Sequence, residues 1–314
     1  MKVTASAGKE GIATVYIAQT EDGKTVEFIE SVQPPIPIEK KWVIIVSTLF
    51  GCPIKCTICD AGNFYQGKLT KDQIFAQIDY PIKRRFPDFD IPVEKFKVQF
   101  ARMGEPTFNP NVLDVLDELP SRYKAPGLIP CISTIAPSGV DNFFERLIEI
   151  KNKLYPGRFQ LQFSIHTSDE KLRDRLIPTR KWDFARIAQY GEKFHKSGDR
   201  KITLNFALAD NLPMNHAVLS LYFDPEIFLV KITPINPTYR ASESGLKSFI
   251  NPKTIIDERV LKYQLKKLGY EVIVSIGELE ENKIGSNCGQ YVTRHLKEAK
   301  SLEDGYSYKL QKLH

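Results

Sequence analysis

Short apolar runs alternate along this chain with segments whose apolar residues recur every three or four positions. Seven runs read as strands: 42–47, 97–100, 130–133, 160–164, 202–207, 228–232 and 271–275. Helical spacing appears between them at 71–85, 111–119, 141–154, 182–197 and 253–268. Thr70 and Gln73 form a capping-box signature at the start of the first. Strand–helix alternation of this kind predicts an α/β fold, with a parallel sheet or barrel covered by helices.

The first forty residues follow a different pattern. Segments 13–19 and 24–31 are β-branched and alternating, with Glu21-Asp22-Gly23 between them. That predicts a β-hairpin turning at Asp-Gly. Gln33-Pro34-Pro35-Ile36-Pro37 cannot be helical and reads as a stiff linker. The organisation expected is a hairpin and linker over 1–40, a barrel over 41–290, and a charged, partly helical tail over 291–314.

Composition narrows the possibilities. The 314 residues carry a formal charge of +6 and are 42% hydrophobic, enough for a sizeable core. No apolar run approaches the ~20 residues of a membrane helix. The longest tract, 42–50, is broken by Ser47 and Thr48. The opening MKVTASAGKEG has no apolar core of signal-peptide type. These features predict a soluble, cytoplasmic protein without a membrane partner. The mild positive charge permits a nucleic-acid partner without requiring one.

The five cysteines are Cys52, Cys56, Cys59, Cys131 and Cys288. An odd number with three crowded together argues against a disulfide scaffold and for thiolates that hold metal. Cys52, Cys56 and Cys59 are spaced C-x3-C-x2-C directly after a predicted strand, where β/α folds build their sites. Three thiolates are one short of a tetrahedral zinc site, which Cys131 or Cys288 would have to complete. A [4Fe–4S] cubane with three protein ligands instead leaves one iron open.

This spacing resembles that of the radical S-adenosylmethionine (SAM) superfamily. Further motifs follow in order: Arg102-Met103-Gly104-Glu105-Pro106, Ile132-Ser133-Thr134, Phe163-Ser164-Ile165-His166, residues 172–178, Thr233-Pro234-Ile235-Asn236-Pro237 and Asn287-Cys288-Gly289-Gln290. Together they resemble the RlmN/Cfr branch, radical SAM methyltransferases that methylate adenosine carbons in RNA. The resemblance runs from about Trp42 to Gln290. It implies an incomplete (β/α)6-type barrel, a [4Fe–4S] cluster on Cys52, Cys56 and Cys59, and S-adenosylmethionine as cofactor. A reductant such as flavodoxin or ferredoxin would supply electrons. Glu105, with Gly104 permitting close approach, would pair with the cofactor's amine. Ser133, Ser164, Ile165 and His166 would line its ribose and carboxylate, and Asn236 would read its adenine. Cys288 would accept a methyl group and deliver it as methylene to an aromatic carbon. Cys131 has no motif around it and reads as core.

The chain departs from that pattern in two respects. A second catalytic cysteine, which takes a proton from the substrate carbon, is expected seven residues before Cys52. Ile45 stands there and has no titratable group. Glu27, in Thr25-Val26-Glu27-Phe28, is a candidate substitute base; the alternative is a solvated hairpin glutamate. The branch's helical RNA-binding domain also has no counterpart in the ~40 residues preceding the barrel. The basic stretches Lys83-Arg84-Arg85 and 173–181 are candidates for phosphate contact. Without the cysteine, resolution must use another group or the product differs from a methylated adenosine; the missing domain, with no interleaved aromatic stacking pattern, points away from ribosomal RNA. The reading is methyl or methylene transfer to a nucleoside, RNA or small molecule. Its alternatives are another radical C–H reaction, such as epimerisation, rearrangement or cyclisation, and a metal-bearing RNA-binding protein without turnover.

Overall fold

The computed structural model describes residues 1–248, 256–287, 290–297 and 301–313. Strands β1 (Lys2–Lys9), β2 (Ala13–Gln19) and β3 (Thr25–Ser31) form an antiparallel meander. β3 pairs antiparallel with β4 (Trp42–Val46). From β4 the sheet continues in parallel through β5 (Phe96–Phe100), β6 (Leu128–Thr134), β7 (Gln160–Ser164), β8 (Ile202–Leu208), β9 (Phe228–Pro234) and β10 (Val272–Val274). β11 (Gln311–Lys312) returns to pair with β1, so β10 and β11 are the two edges and the barrel stays open. The connecting helices are α1 (Lys71–Arg85), α2 (Asn111–Arg122), α3 (Asp141–Leu154), α4 (Glu170–Leu176), α5 (Phe184–Phe194), α6 (His216–Tyr222), α7 (Tyr239–Glu243), α8 (Ile256–Lys267) and α9 (Leu279–Ile284).

The expected incomplete barrel is present, with its seven predicted strands and five predicted helices: 160–164, 71–85 and 141–154 keep their predicted ends, the others differ by one to three residues, and the start of the helix expected over 253–268 lies outside the described residues. The amino-terminal hairpin is one strand larger than expected. β1 is built from small and polar residues with a register shift between Val3 and Ala5, which hides its alternation. Residues 291–314, expected as a helical tail, instead contain a short 3-10 turn at His295–Lys297 and the edge strand β11, among the described residues.

The two faces of the parallel sheet differ in chemistry. Trp42, Ile44 and Val46, Phe96, Val98 and Phe100, Leu161 and Phe163, and Ile202, Leu204 and Phe206 are buried on the helix-covered face. The alternate positions carry Lys97, Gln99, Ser133, Gln160, Gln162, Ser164, Thr203, Asn205, Lys231 and Thr233, interrupted by the apolar Val43, Ile45, Ile129 and Cys131 on β4 and β6. A parallel strand buried on both faces reads as a continuous apolar run. From β5 and β7 to β9 the inside is lined mainly with amides, hydroxyls and amines, so that part of the interior suits a polar occupant.

Glu30 joins the meander to the barrel. It accepts hydrogen bonds from Tyr16 Oη (3.0 Å) and Trp42 Nε1 (3.2 Å) and pairs with Arg85.

Candidate active site

The cysteine loop leaves β4 through Ser47, whose backbone N–H and C=O are both taken by the Gln77 side chain of α1 (2.9 and 3.0 Å). Gly51 has φ +76°, and a Cβ there would lie 2.1 Å from the Phe64 carbonyl oxygen, so the chain can double back only with glycine. Cys52 N–H donates to Ala61 O (2.8 Å), and Cys59 N–H donates to Cys56 O (3.2 Å). Asp60 accepts from the backbone N–H groups of Tyr239 and Arg240, both at 3.0 Å. Thr238 Oγ1 donates to Ile58 O (3.0 Å), and Thr57 N–H donates to Leu176 O (2.9 Å). The loop is therefore sewn to the start of α7 and the end of α4.

The three thiols are partly exposed, and their charges act on one another. Burial pushes Cys52 up to about 11, aided by the charge of Glu105 and opposed by backbone N–H groups of Ile54 and Glu105. Burial raises Cys56 further, together with the nearby Cys59, Cys52 and Glu105. Among the described residues, no three His, Cys, Asp or Glu side chains converge closely enough to hold a single metal ion. A polynuclear cluster asks for one thiolate per iron instead.

Glu105, five residues beyond β5, is buried. Its Oε1 accepts from Thr107 N–H (3.2 Å), Thr107 Oγ1 (2.9 Å) and Thr134 Oγ1 (2.5 Å), and its Oε2 accepts from Ile135 N–H (3.0 Å). Burial raises its proton affinity, and these four donors pull it back. Among the described residues it has no cationic partner, and Oε2 retains an open acceptor position. Three thiols, of which burial keeps Cys52 and Cys56 protonated until a metal takes them, beside a carboxylate without a cationic partner, make a donor set that fits an iron–sulfur cluster and an ammonium group. Gly104 has φ +91°, and a Cβ would lie 2.4 Å from Leu49 Cβ, which fixes the approach of this turn to the loop.

The remaining predicted residues lie at neighbouring strand ends. Ser133 and Ser164 are on the polar inner face, and Ser133 Oγ accepts from Gln162 Nε2 (3.2 Å). Ile165 and His166 follow β7, and both backbone N–H groups donate to Asn205 O (2.9 and 3.2 Å). His166 has φ +66°. Its Nδ1 accepts from Ala207 N–H (3.2 Å), which puts the ring proton on Nε2. Burial, with the Arg173 charge, holds it down to about 4. Asn236 follows β9, half-buried.

The depressed His166 value predicts a pH effect. Below pH 6.5 the unfolded chain takes up a proton that the folded chain refuses until about pH 4. Stability therefore falls as pH drops through that window, by up to about 3 kcal/mol from this group. Denaturant unfolding of His166→Gln should lose that share of the slope; an unchanged slope contradicts the assignment.

Glu27 does not stand in solvent on its hairpin. It is fully buried and ion-paired with Arg102. Val292 N–H donates to its Oε2 (3.0 Å). Burial raises its proton affinity, and Arg102 and the Val292 N–H oppose the rise. Arg102 in turn donates to Gly285 O (2.8 Å) and Ser286 O (3.4 Å), while Gln290 Nε2 donates to Arg102 O (2.8 Å). Cys288 lies outside the described residues, but both flanks of its loop are gripped by this pair. Ile45 pairs with Ile29 and Gln99, on the same face of the sheet as Lys97.

Sequence reasoning gave Arg102 no role and placed Arg173 among the candidate phosphate contacts, where the structure shows it internal. A charged residue wedged between an apolar strand end and Met103-Gly104 was the available signal for Arg102. Arg173 is buried and donates to Trp182 O (2.7 Å) and Ile135 O (3.2 Å), bracing the residue that binds Glu105. The basic stretches considered for phosphate are largely committed elsewhere. Arg85 pairs with Glu30, Arg173 is internal, and Lys181 pairs with Asp174 (2.5 Å).

No protein-family model matches the chain. A protein of Petrotoga mobilis named "Probable dual-specificity RNA methyltransferase RlmN" is 25% identical over 91% of this chain and 76% of its own length. One of Thermus thermophilus, with the same name, is 27% identical over 88% and 73%. In Marinobacter nauticus a "Dual-specificity RNA methyltransferase RlmN" is 25% identical over 89% and 72%. A solved radical SAM methyltransferase from Sphaerobacter thermophilus shares the fold at TM-score 0.64 and 20% identity, over 91% of this chain and 80% of that one.

Proposed function

We infer that this chain, a radical SAM enzyme homologous to the methyltransferases named RlmN, methylates a carbon of RNA or of a nucleoside by way of Cys288. The observation that carries the reading is the pairing of the three-cysteine loop after β4 with the cation-free, buried carboxylate of Glu105 after β5.

When bound and reduced by a flavodoxin- or ferredoxin-type donor, a [4Fe–4S] cluster with S-adenosylmethionine supplies a carbon radical that abstracts hydrogen. The chain's own residues do the rest. Cys52, Cys56 and Cys59 would hold the cluster. Glu105 Oε2 would accept the cofactor's ammonium, and Gly104 leaves room for it. The hydroxyls of Ser133 and Ser164 and the Nε2–H of His166 would donate to cofactor oxygens. Ile165 would pack against the cofactor, and the Asn236 amide would meet the adenine edge. The neutral His166 donates without changing charge across the working pH range.

Glu27 serves this site as an anchor. A general base needs a carboxylate free to take a proton, and both of its oxygens are engaged by Arg102 and Val292. Ile45 also provides no base, so the proton released at the substrate carbon must go to another group or to water.

Protein isolated anaerobically after incubation with trideuteromethyl S-adenosylmethionine should carry the labelled methyl on Cys288, read by peptide mass. Cys288→Ala should abolish both the label and turnover. An unlabelled Cys288 in protein that still releases 5′-deoxyadenosine would instead favour a radical reaction without methyl transfer.

A further inference from the structure

A cavity of about 140 Å³ opens beside the cysteine loop, and none of the residues assigned to the cofactor lines it. The β2–β3 turn contributes Lys24, the cysteine loop contributes Phe50, Phe64 and Gln66, and the carboxy-terminal segment contributes Thr293 and Lys297. β3 runs antiparallel to β4, with Ile29 opposite Ile45, so the turn before β3 stands at the carboxyl end of β4, where the cysteine loop begins. Gln66 N–H donates to Phe50 O (2.7 Å) and Phe50 N–H donates to Gly67 O (2.9 Å), which brings Phe64 back against the start of the loop. The Val292 N–H that holds Glu27 sets the neighbouring Thr293 in its wall. The cavity therefore lies between the three-cysteine loop and the segment that follows Cys288.

Its lining combines rings, cations and one unpaired hydroxyl. Phe64 is 39% exposed, and Lys297 Nζ lies 3.8 Å from the centroid of its ring. Lys24 Nζ lies 5.5 Å from the centroid of Phe50. Among the described residues no acid lines the cavity; Asp22, two residues before Lys24, pairs with that lysine at 2.7 Å. Thr293 is only 3% exposed, and its Oγ1 has no hydrogen-bond partner among the described residues. A buried hydroxyl without a partner costs free energy that a bound polar group recovers. Sites for whole small molecules run to about 300–1,000 Å³, so this cavity holds a single ring. Single-stranded nucleic acid asks for this combination, aromatic rings to stack on bases and ammonium groups to meet phosphodiesters. An apolar protein side chain would have no use for the lysines.

We propose that this cavity is a subsite for an unpaired base next to the one that is methylated, which makes the substrate an RNA strand rather than a free nucleoside. Phe64 stacks on that base, the Thr293 hydroxyl and the Gln66 amide meet its edge, and Lys297 and Lys24 face the phosphodiester that joins the two nucleotides. The proposal rests on the methyltransfer reading for the place of the first base. It concerns binding alone, so it can fail without that reading failing.

The test is equilibrium binding of the dinucleoside monophosphates ApG and GpA to the full chain, without reductant so that no turnover occurs. Each is compared with a twin in which an abasic ribose replaces the guanosine. At least one of the two should bind at least tenfold more tightly than its twin. Phe64→Ala should remove most of that difference, and Phe64→Trp should keep it. Thr293→Val should leave the free chain at least as stable in urea, because no hydrogen bond is lost, yet weaken the dinucleotide about fivefold. A hydroxyl with a purely structural role would do the reverse. Equal binding of both dinucleotides and their twins overturns the proposal, as does a Phe64→Ala chain that keeps the full difference. Neither result touches the label on Cys288, which remains the separate test of methyl transfer.

Discussion

Arg102→Met should lower the unfolding free energy by about 3–5 kcal/mol, because it leaves the Glu27 carboxylate charged and buried without its counter-ion. Glu27→Gln should also be costly, since it strands the Arg102 guanidinium among the Gly285 and Ser286 carbonyls. The double variant should be markedly more stable than the sum of the two losses predicts, as removing both charges leaves neither uncompensated. Urea unfolding of the four proteins gives this coupling directly. Additive losses would show that the two groups do not act as a pair. The pair also fixes both flanks of the Cys288 loop, so hydrogen exchange across 284–287 and 290–293 should quicken in every variant. Methyl occupancy of Cys288 should fall with it, while cofactor cleavage at the cysteine loop continues.

Glu105→Gln should weaken S-adenosylmethionine binding by about 10- to 100-fold, the loss of one charge-assisted hydrogen bond in a dry site. The amide keeps an acceptor for Thr134 or Ile135 but brings an NH2 group into a pocket already lined with donors. Loss of affinity should therefore exceed loss of stability, because the wild-type carboxylate is itself uncompensated before the cofactor arrives. Unchanged affinity in equilibrium binding would remove Glu105 from the cofactor site.

The barrel was legible because its strands are short and apolar at alternate positions and its helices carry conventional starts, such as Thr70 with Gln73. The cysteine loop was legible because three thiols lie within one stretch of chain. The clasp was not. Glu27 and Arg102 are 75 residues apart, and they meet only because β3 pairs with β4 and the chain returns at 285–293. Read alone, Glu27 in an alternating hairpin looks solvent-facing; the carboxy-terminal segment with Tyr291 and Val292 buries it. The polar inner face was written in segments such as Phe-Lys-Val-Gln-Phe and Gln-Leu-Gln-Phe-Ser. Their alternation mimics a sheet with one wet side. Only the parallel pairing shows that this side faces the barrel interior. Short helices such as α4 and α7 fall below the length at which periodicity is readable.

The most direct test of the account is to load the chain anaerobically with iron and sulfide, reduce it, add S-adenosylmethionine, and measure 5′-deoxyadenosine. The account predicts its release by the wild-type protein and none by Cys56→Ala. A wild-type chain that binds zinc as its only metal, or that assembles a cluster yet releases no 5′-deoxyadenosine, would contradict it.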